Sequence, residues 1–174
     1  MTQGDVKFVL DTNVFVQAHR AYYAFDIAPG FWTSVLAHVE SERLVSIDRV
    51  HDEVLKGGKG DALEDWVKKQ TPKEMFASSK TSEIAAEFAP MMQWVQAEAR
   101  FTADAKAEFA EKADGWLIAY AKKHGYVLVT HEGFNPDRKN KVLMPVVCKQ
   151  FGVNYTDTFG MLRALKVQLN WNRP

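Results

Sequence analysis

The sequence predicts an α/β fold in which a mainly parallel central sheet is flanked on both faces by helices. Three observations carry that prediction. Short apolar runs recur at Phe8-Val9-Leu10, Leu44-Val45-Ser46-Ile47 and Val127-Leu128-Val129, and runs without polar alternation belong to strands buried on both faces. Segments with helical spacing of apolar residues separate them, the alternation that builds a parallel sheet. The first run also stops at a carboxylate, Asp11, with Thr12 and Asn13 heading a helical pattern. Open α/β sheets bind ligands at the carboxyl ends of their strands, so Asp11 directs a search for other acids at that edge.

Taken in order, residues 12–20 carry Val14, Phe15 and Ala18 at helical spacing, and the stretch from Tyr22 to Gly30, with Pro29, reads as a loop. Residues 31–43 align Trp32, Val35, Leu36 and Val39 on one stripe. After the second strand, Asp48 is expected to cap a helix over 49–56 that Gly57-Gly58 ends. In that helix Val50 and Val54 face the core, Glu53 hangs at the edge of the buried face, and His51 and Asp52 point to solvent. A short helix follows over 61–69. Thr71-Pro72-Lys73-Glu74 has the form of a capping box with proline at the first helical position. From Thr81 to Arg100, Ile84, Phe88, Met91 and Val95 keep helical spacing, and Pro90 is expected to kink or divide the helix. Phe101, Ala105 and Phe109 continue an apolar stripe opposite a solvated face of Lys106, Glu108, Glu111 and Lys112.

Asp114 heads the next stripe, with Leu117, Ile118 and Ala121 behind it, so its carboxylate points at the sheet edge. That helix ends at Lys123-His124-Gly125, cations and glycine where a C-terminus favours them. The third strand ends at Thr130-His131-Glu132. Arg138-Lys139-Asn140 reads as a polar loop before a fourth strand at Val142-Leu143-Met144, Pro145 opens a helix to Phe151, and Val153-Asn154-Tyr155 reads as an edge strand. Phe159, Leu162, Leu165 and Leu169 make the closing helix. No repeat or linker divides the chain, so residues 1–174 read as a single domain.

Bulk composition narrows the function classes. At 174 residues, 47% hydrophobic and 25% charged, the chain can bury a core without disulfides or structural metal. Lys plus Arg equals Asp plus Glu at 22 each, which excludes an overall basic field; nucleic acid would have to be held by a local, salt-sensitive patch. The single cysteine, Cys148, excludes an internal disulfide framework and suits a reducing cytosol. No charged-then-apolar leader follows Met1 and no apolar run approaches a membrane span. The expectation is a soluble, cytoplasmic protein.

Four acids thus end elements that a parallel sheet brings to one edge: Asp11, Glu53, Asp114 and Glu132. Each has an innocuous reading, as a helix cap, a helix-surface acid, a favourable charge at a helix N-terminus and a turn residue respectively. One geometric rule finds all four, which weighs against four separate accidents. Gathered carboxylates resist ionising together and call for a cation. An all-oxygen ligand set without cysteine or a histidine pair favours Mg²⁺ or Mn²⁺, and the chemistry such an ion supports is phosphodiester or phosphate-ester hydrolysis.

The same residues carry a resemblance. Val9-Leu10-Asp11-Thr12-Asn13-Val14-Phe15, Glu53 within Val50-His51-Asp52-Glu53-Val54, Asp114 within Ala113-Asp114-Gly115-Trp116-Leu117-Ile118-Ala119, and Val129-Thr130-His131-Glu132 resemble the motifs of PIN-domain nucleases, in family order. The resemblance implies a three-layer α/β/α sandwich with a central, mainly parallel sheet, and a metal-dependent ribonuclease acting on single strands. A short single-domain chain most resembles the VapC-type toxins of prokaryotic toxin–antitoxin pairs, which implies a cognate antitoxin protein and a homodimer. Carried over by position, Asp11, Glu53, Asp114 and Glu132 would be the catalytic acids that hold the metal. Thr130 would orient ligands or water, and Asn13 would support the first acid. Glu132 departs from the family, which more often has aspartate there; its longer arm would reach the metal through water. Arg138, Lys139 and Lys141 are candidate RNA-phosphate contacts, with a solvated loop as the competing reading.

Rival functions meet specific obstacles. A haloacid-dehalogenase-type phosphatase needs a second aspartate two residues after the first, and position 13 is asparagine. A receiver domain needs an adjacent acidic pair after its first strand and a later phosphoacceptor aspartate, and neither is evident. The rival from another class is a non-catalytic RNA- or partner-binding module that keeps the acidic pocket.

Overall fold

The computed structural model describes residues 6–171; the positions on which the expectation of no leader rests, 1–5, lie outside them. Five strands form one sheet in the order β3-β2-β1-β4-β5, and every pairing is parallel. The central strand β1 (Phe8–Leu10) is flanked by β2 (Leu44–Ile47) and β4 (Val127–Val129), with Phe8 opposite Leu44 on one side and Val127 on the other. Phe8, Val9 and Leu10 are all buried, as an uninterrupted apolar run requires. The edges are β3 (Phe76–Ala77) and β5 (Tyr155–Thr156).

One group of helices contains α1 (Thr12–Gln17), α2 (Pro29–Glu40), α3 (Asp48–Gly57) and α4 (Ala62–Lys69); α2 and α3 lie on β2, and α3 packs on α1 and α4. The other contains α5 (Ser82–Ala97), α6 (Ala103–Glu111), α7 (Asp114–His124) and α8 (Met144–Phe151), with α7 lying on β1 and β4 and touching the other three. The close approach of α5 to α7 needs Gly115, because a Cβ there would stand 2.7 Å from the Phe88 ring. Phe88 is in turn stacked on Trp116 with centroids 3.9 Å apart. The chain walks outward from β1 through β2 to β3, then crosses to β4 and walks the other way. The strand order therefore reverses between β1 and β4, where open α/β sheets form their binding crevice. No described helix is long and apolar enough to cross a membrane.

Several local expectations need correction. Asp48 is the first residue of α3, not its cap; its Oδ1 accepts from the backbone and hydroxyl of buried Ser79, tying the segment after β3 to α3. Thr71 caps nothing: its hydroxyl donates to the Val67 carbonyl at the end of α4. The residues after Pro72 make a single 3₁₀ turn and then β3, which completes the free edge of β2. Pro90 neither divides nor ends α5. It lies on the exposed face, where water can satisfy the carbonyl that loses its partner. Val142-Leu143-Met144 is no strand, although all three are buried. The strand beside β4 is β5 instead, and Met144 already opens α8. The closing helix α9 spans Thr158–Ala164, shorter than expected, and Leu169 is exposed. Finally, α1 runs on into a π-helical turn, Ala18–Tyr22, where a loop is expected to begin at Tyr22.

Candidate active site

Asp11 follows β1 directly. Its backbone N–H donates to the Val129 carbonyl, so it continues the ladder to β4, and the residue is buried. It occupies the N-cap position of α1 without any side-chain cap hydrogen bond, which removes the capping reading. Instead Oδ2 accepts from the Thr130 hydroxyl at 3.2 Å. That hydroxyl also accepts the Glu132 backbone N–H at 3.2 Å. A hydroxyl has one proton to give, and the N–H on its oxygen leaves that proton for Asp11. Thr130 therefore links the ends of β1 and β4.

Asp114 opens α7 and is buried at the same edge. Glu53 reaches there from α3. Its Oε2 accepts from the Thr12 hydroxyl at 2.5 Å and its Oε1 from the Ala113 backbone N–H at 2.9 Å. One carboxylate thus joins the starts of α1 and α7 across 41 and 60 residues of sequence. Glu132 is held similarly: Oε2 accepts from the Met144 N–H at the start of α8 at 2.7 Å, and Oε1 pairs with the Lys141 ammonium at 2.5 Å.

The aspartates are electrostatically uncomfortable. Burial, reinforced by the charges of Asp114 and Glu132, pushes the Asp11 carboxyl up to about 8; Thr130 opposes and Glu53 adds to the rise. Burial, then Glu132 and Glu53, raises Asp114 to about 7, against the pull of Lys141 and Lys112. Both aspartates feel the two glutamates, and Asp11 feels Asp114 as well, so the four acids meet at one edge. A carboxylate held out of water beside like charges favours either a proton or a cation. The oxygen-only donor set fits a hard divalent ion. Among the described residues, however, no three Asp, Glu, His or Cys side chains converge tightly enough to ligate one ion in this arrangement. The reason is visible: Glu53 and Glu132 are each committed to two protein donors.

The remaining sequence candidates fare differently. Asn13 is exposed, and its side chain makes no hydrogen bond to Asp11 or to any other described residue. Arg138 is exposed and its Nε donates to Asn140, while Lys139 is exposed on the same loop. Lys141 is drawn inward to Glu132. His131 points into the structure, where Nε2 meets the Thr158 hydroxyl at 2.9 Å, and burial lowers its pKa against the opposing charge of Asp157. Cys148 is buried, and burial with the Glu132 charge pushes its thiol up to about 12, leaving it unreactive. Two contributors escape sequence reasoning: Thr12, whose position beside Asp11 at a helix start is a usable signal, and Lys112, whose charge reaches Asp114 and Glu53.

This architecture has solved counterparts. The FitAcB structure from Neisseria gonorrhoeae superposes with a TM-score of 0.54 at 15% identity, covering 85% of this chain and 95% of that one. VapBC2 from Rickettsia felis, bound to a DNA fragment from its promoter, gives 0.52 at 9% identity, covering 87% and 98%. At such identities the likeness is one of fold, and the chain has the PIN-like fold that its motifs resemble. No curated protein matches the sequence. A family model matches residues 8–169, nearly the whole described chain, and by that match the protein belongs to the family described as a domain of unknown function, DUF4411.

Proposed function

We propose that the chain is a Mg²⁺- or Mn²⁺-dependent endoribonuclease, the toxin of a prokaryotic toxin–antitoxin pair, with RNA as substrate and a cognate antitoxin protein as partner. The observation that carries the reading is the pair Asp11 and Asp114, buried at the strand-order reversal, with both carboxyls raised by that burial first and by the neighbouring acids second. Two assemblies with the same fold, FitAcB and VapBC2, support it by analogy of fold.

Asp11 and Asp114 would hold the divalent ion, joined by Glu53 and, directly or through water, by Glu132. A bound ion supplies an activated water and neutralises charge on the phosphoryl oxygen during in-line attack. The protein's own residues supply the rest. Thr130 fixes the Asp11 carboxylate, so the strand ends enter the reaction already aligned. Glu53 fixes the starts of α1 and α7 relative to each other and thereby places Asp114. Lys141 balances Glu132 and limits the repulsion on Asp114. Were Glu132 to contribute to holding the ion, Lys141, now paired with it, would be the lysine placed to contact an RNA phosphate.

The test is cleavage of tRNA, rRNA fragments and single-stranded oligonucleotides with Mg²⁺, Mn²⁺ or EDTA. The expected result is cutting that requires metal and disappears in Asp114→Asn. A wild type that neither cuts nor binds metal overturns the catalytic reading and leaves a partner-binding module on the same scaffold.

A further inference from the structure

Beside the acids lies an aromatic cluster that the reaction does not use. The Tyr22 ring stacks on His131 with centroids 6.1 Å apart and planes at 26°, and the edge of Phe159 meets it at 5.6 Å. His131 is one residue from Glu132, and its neighbour Thr130 donates to Asp11. The His131 ring is fixed by its hydrogen bond to Thr158. Tyr22 itself stays 50% exposed. A lone exposed tyrosine carries no meaning, but this one is delivered by the π-helical turn Ala18–Tyr22, a rare element found disproportionately at functional sites. An open cavity of about 420 Å³ is lined by His131, with Glu132, Tyr155 and Asp157 among its other walls, while Tyr22 lines a neighbouring opening with Tyr23 and Pro29. Four residues after Phe159, on the same face of α9, Arg163 makes no ion pair among the described residues, and its charge reaches Tyr23.

We propose that Tyr22, His131 and Phe159 form a platform on which an unpaired nucleobase of single-stranded RNA stacks, with Arg163 beside it for the adjoining phosphate. The proposal rests on the ribonuclease reading and deepens it by assigning the residues that hold an unpaired base of the substrate. Three rings packed on one another, with Tyr22 half exposed, match the flat π-surface every base offers, and a guanidinium alongside supplies the charge complement. A duplex keeps its bases stacked on each other and cannot present one.

The experiment is fluorescence anisotropy with the full chain in EDTA, so that no strand is cut. The probes are a short labelled single-stranded RNA, the same strand with abasic positions, and its duplex. Stacking on an aromatic side chain contributes about 1–3 kcal/mol per base, so Tyr22→Ala should weaken single-strand binding about 5- to 150-fold. Tyr22→Phe should hold within about twofold, Tyr22→Leu should not rescue, and the abasic strand should bind wild type and Tyr22→Ala alike. Arg163→Ala should flatten the salt dependence by about 0.7 in slope, the value for one single-strand phosphate. Unchanged melting of Tyr22→Ala, a half-exposed site, certifies the fold, and Phe159→Ala repeats the test from the other ring.

If Tyr22→Ala binds within about twofold of wild type, or Tyr22→Leu restores binding, the platform is refuted. With metal-dependent cleavage intact, that result leaves the nuclease reading standing and the aromatic face to a protein partner. If the wild type neither binds nor cuts any strand, both readings fall together.

Discussion

The four acids divide into two aspartates and two glutamates that live under different conditions. Asp11 and Asp114 are buried on short arms, receive among the described residues a single side-chain hydrogen bond between them, from Thr130 to Asp11, and have their carboxyls raised to about 8 and about 7. Glu53 and Glu132 reach in on longer arms, and each is held by two protein donors. The difference teaches that gathered acids need not share one task. The glutamates tie elements together, whereas the aspartates hold unspent negative charge that only a proton or a cation satisfies.

The sharpest way to break the comparison is at Asp114. Asp114→Asn keeps the shape and removes the charge; RNA cleavage should fall by at least about 100-fold, the scale of losing one main electrostatic contributor. Single-turnover gels would measure it, and near wild-type cutting would end the distinction.

Stability should respond next. Both aspartates have folded pKa values above the ordinary 3.8, so the native state holds protons that the unfolded chain has released. Their contribution is therefore fully present below about pH 4 and is lost as pH rises through about 7 to 8. Metal-free protein should melt progressively lower across that window, and Mn²⁺ should restore the midpoint at its upper end. Asp11→Asn removes the buried charge while its amide oxygen still accepts from Thr130. Recovering about 2 kcal/mol would raise the metal-free midpoint near pH 8 by about 4–8 °C. A flat melting profile between pH 4 and 8 would show that the aspartates are not strained.

Glu53 should behave in the opposite sense. Glu53→Gln leaves one oxygen for two donors, so the metal-free protein should lose about 1–2 kcal/mol and melt about 2–8 °C lower. The smallest effect is expected at Lys141, because its ion pair is partly open to water. Lys141→Met should tighten Mn²⁺ binding about three- to tenfold in calorimetry, by removing the cation that competes for Glu132. Weaker binding would instead make Lys141 a support for the ion.

What could be read in the sequence follows the range of the interactions. The runs at 8–10, 44–47 and 127–129 announce strands because burial on both faces removes every polar position. The burial of Asp11 and Asp114 was legible too, one ending such a run and the other heading a helical stripe. β3 was illegible, since two residues carry no pattern and only the free edge of β2 makes Phe76-Ala77 a strand. The reverse error at 142–144 comes from reading burial as a strand, for these residues are buried and lead straight into α8. The contact from Lys141 to Glu132 and the second donor on Glu53 join segments that no local period relates. Tyr22 was missed because a π-turn changes the helical period and turns the ring toward His131.

The parallel sheet also governs when the site can exist. The hydroxyl that orients Asp11, on Thr130, lies 119 residues further along the chain. At about 5–20 residues per second, a ribosome needs about 6–24 s to travel between them. Until β4 emerges and pairs with β1, the first acid has neither its partner strand nor the start of α8 that anchors Glu132. The acid edge is therefore assembled only after the whole segment from Asp11 to Met144 has been made.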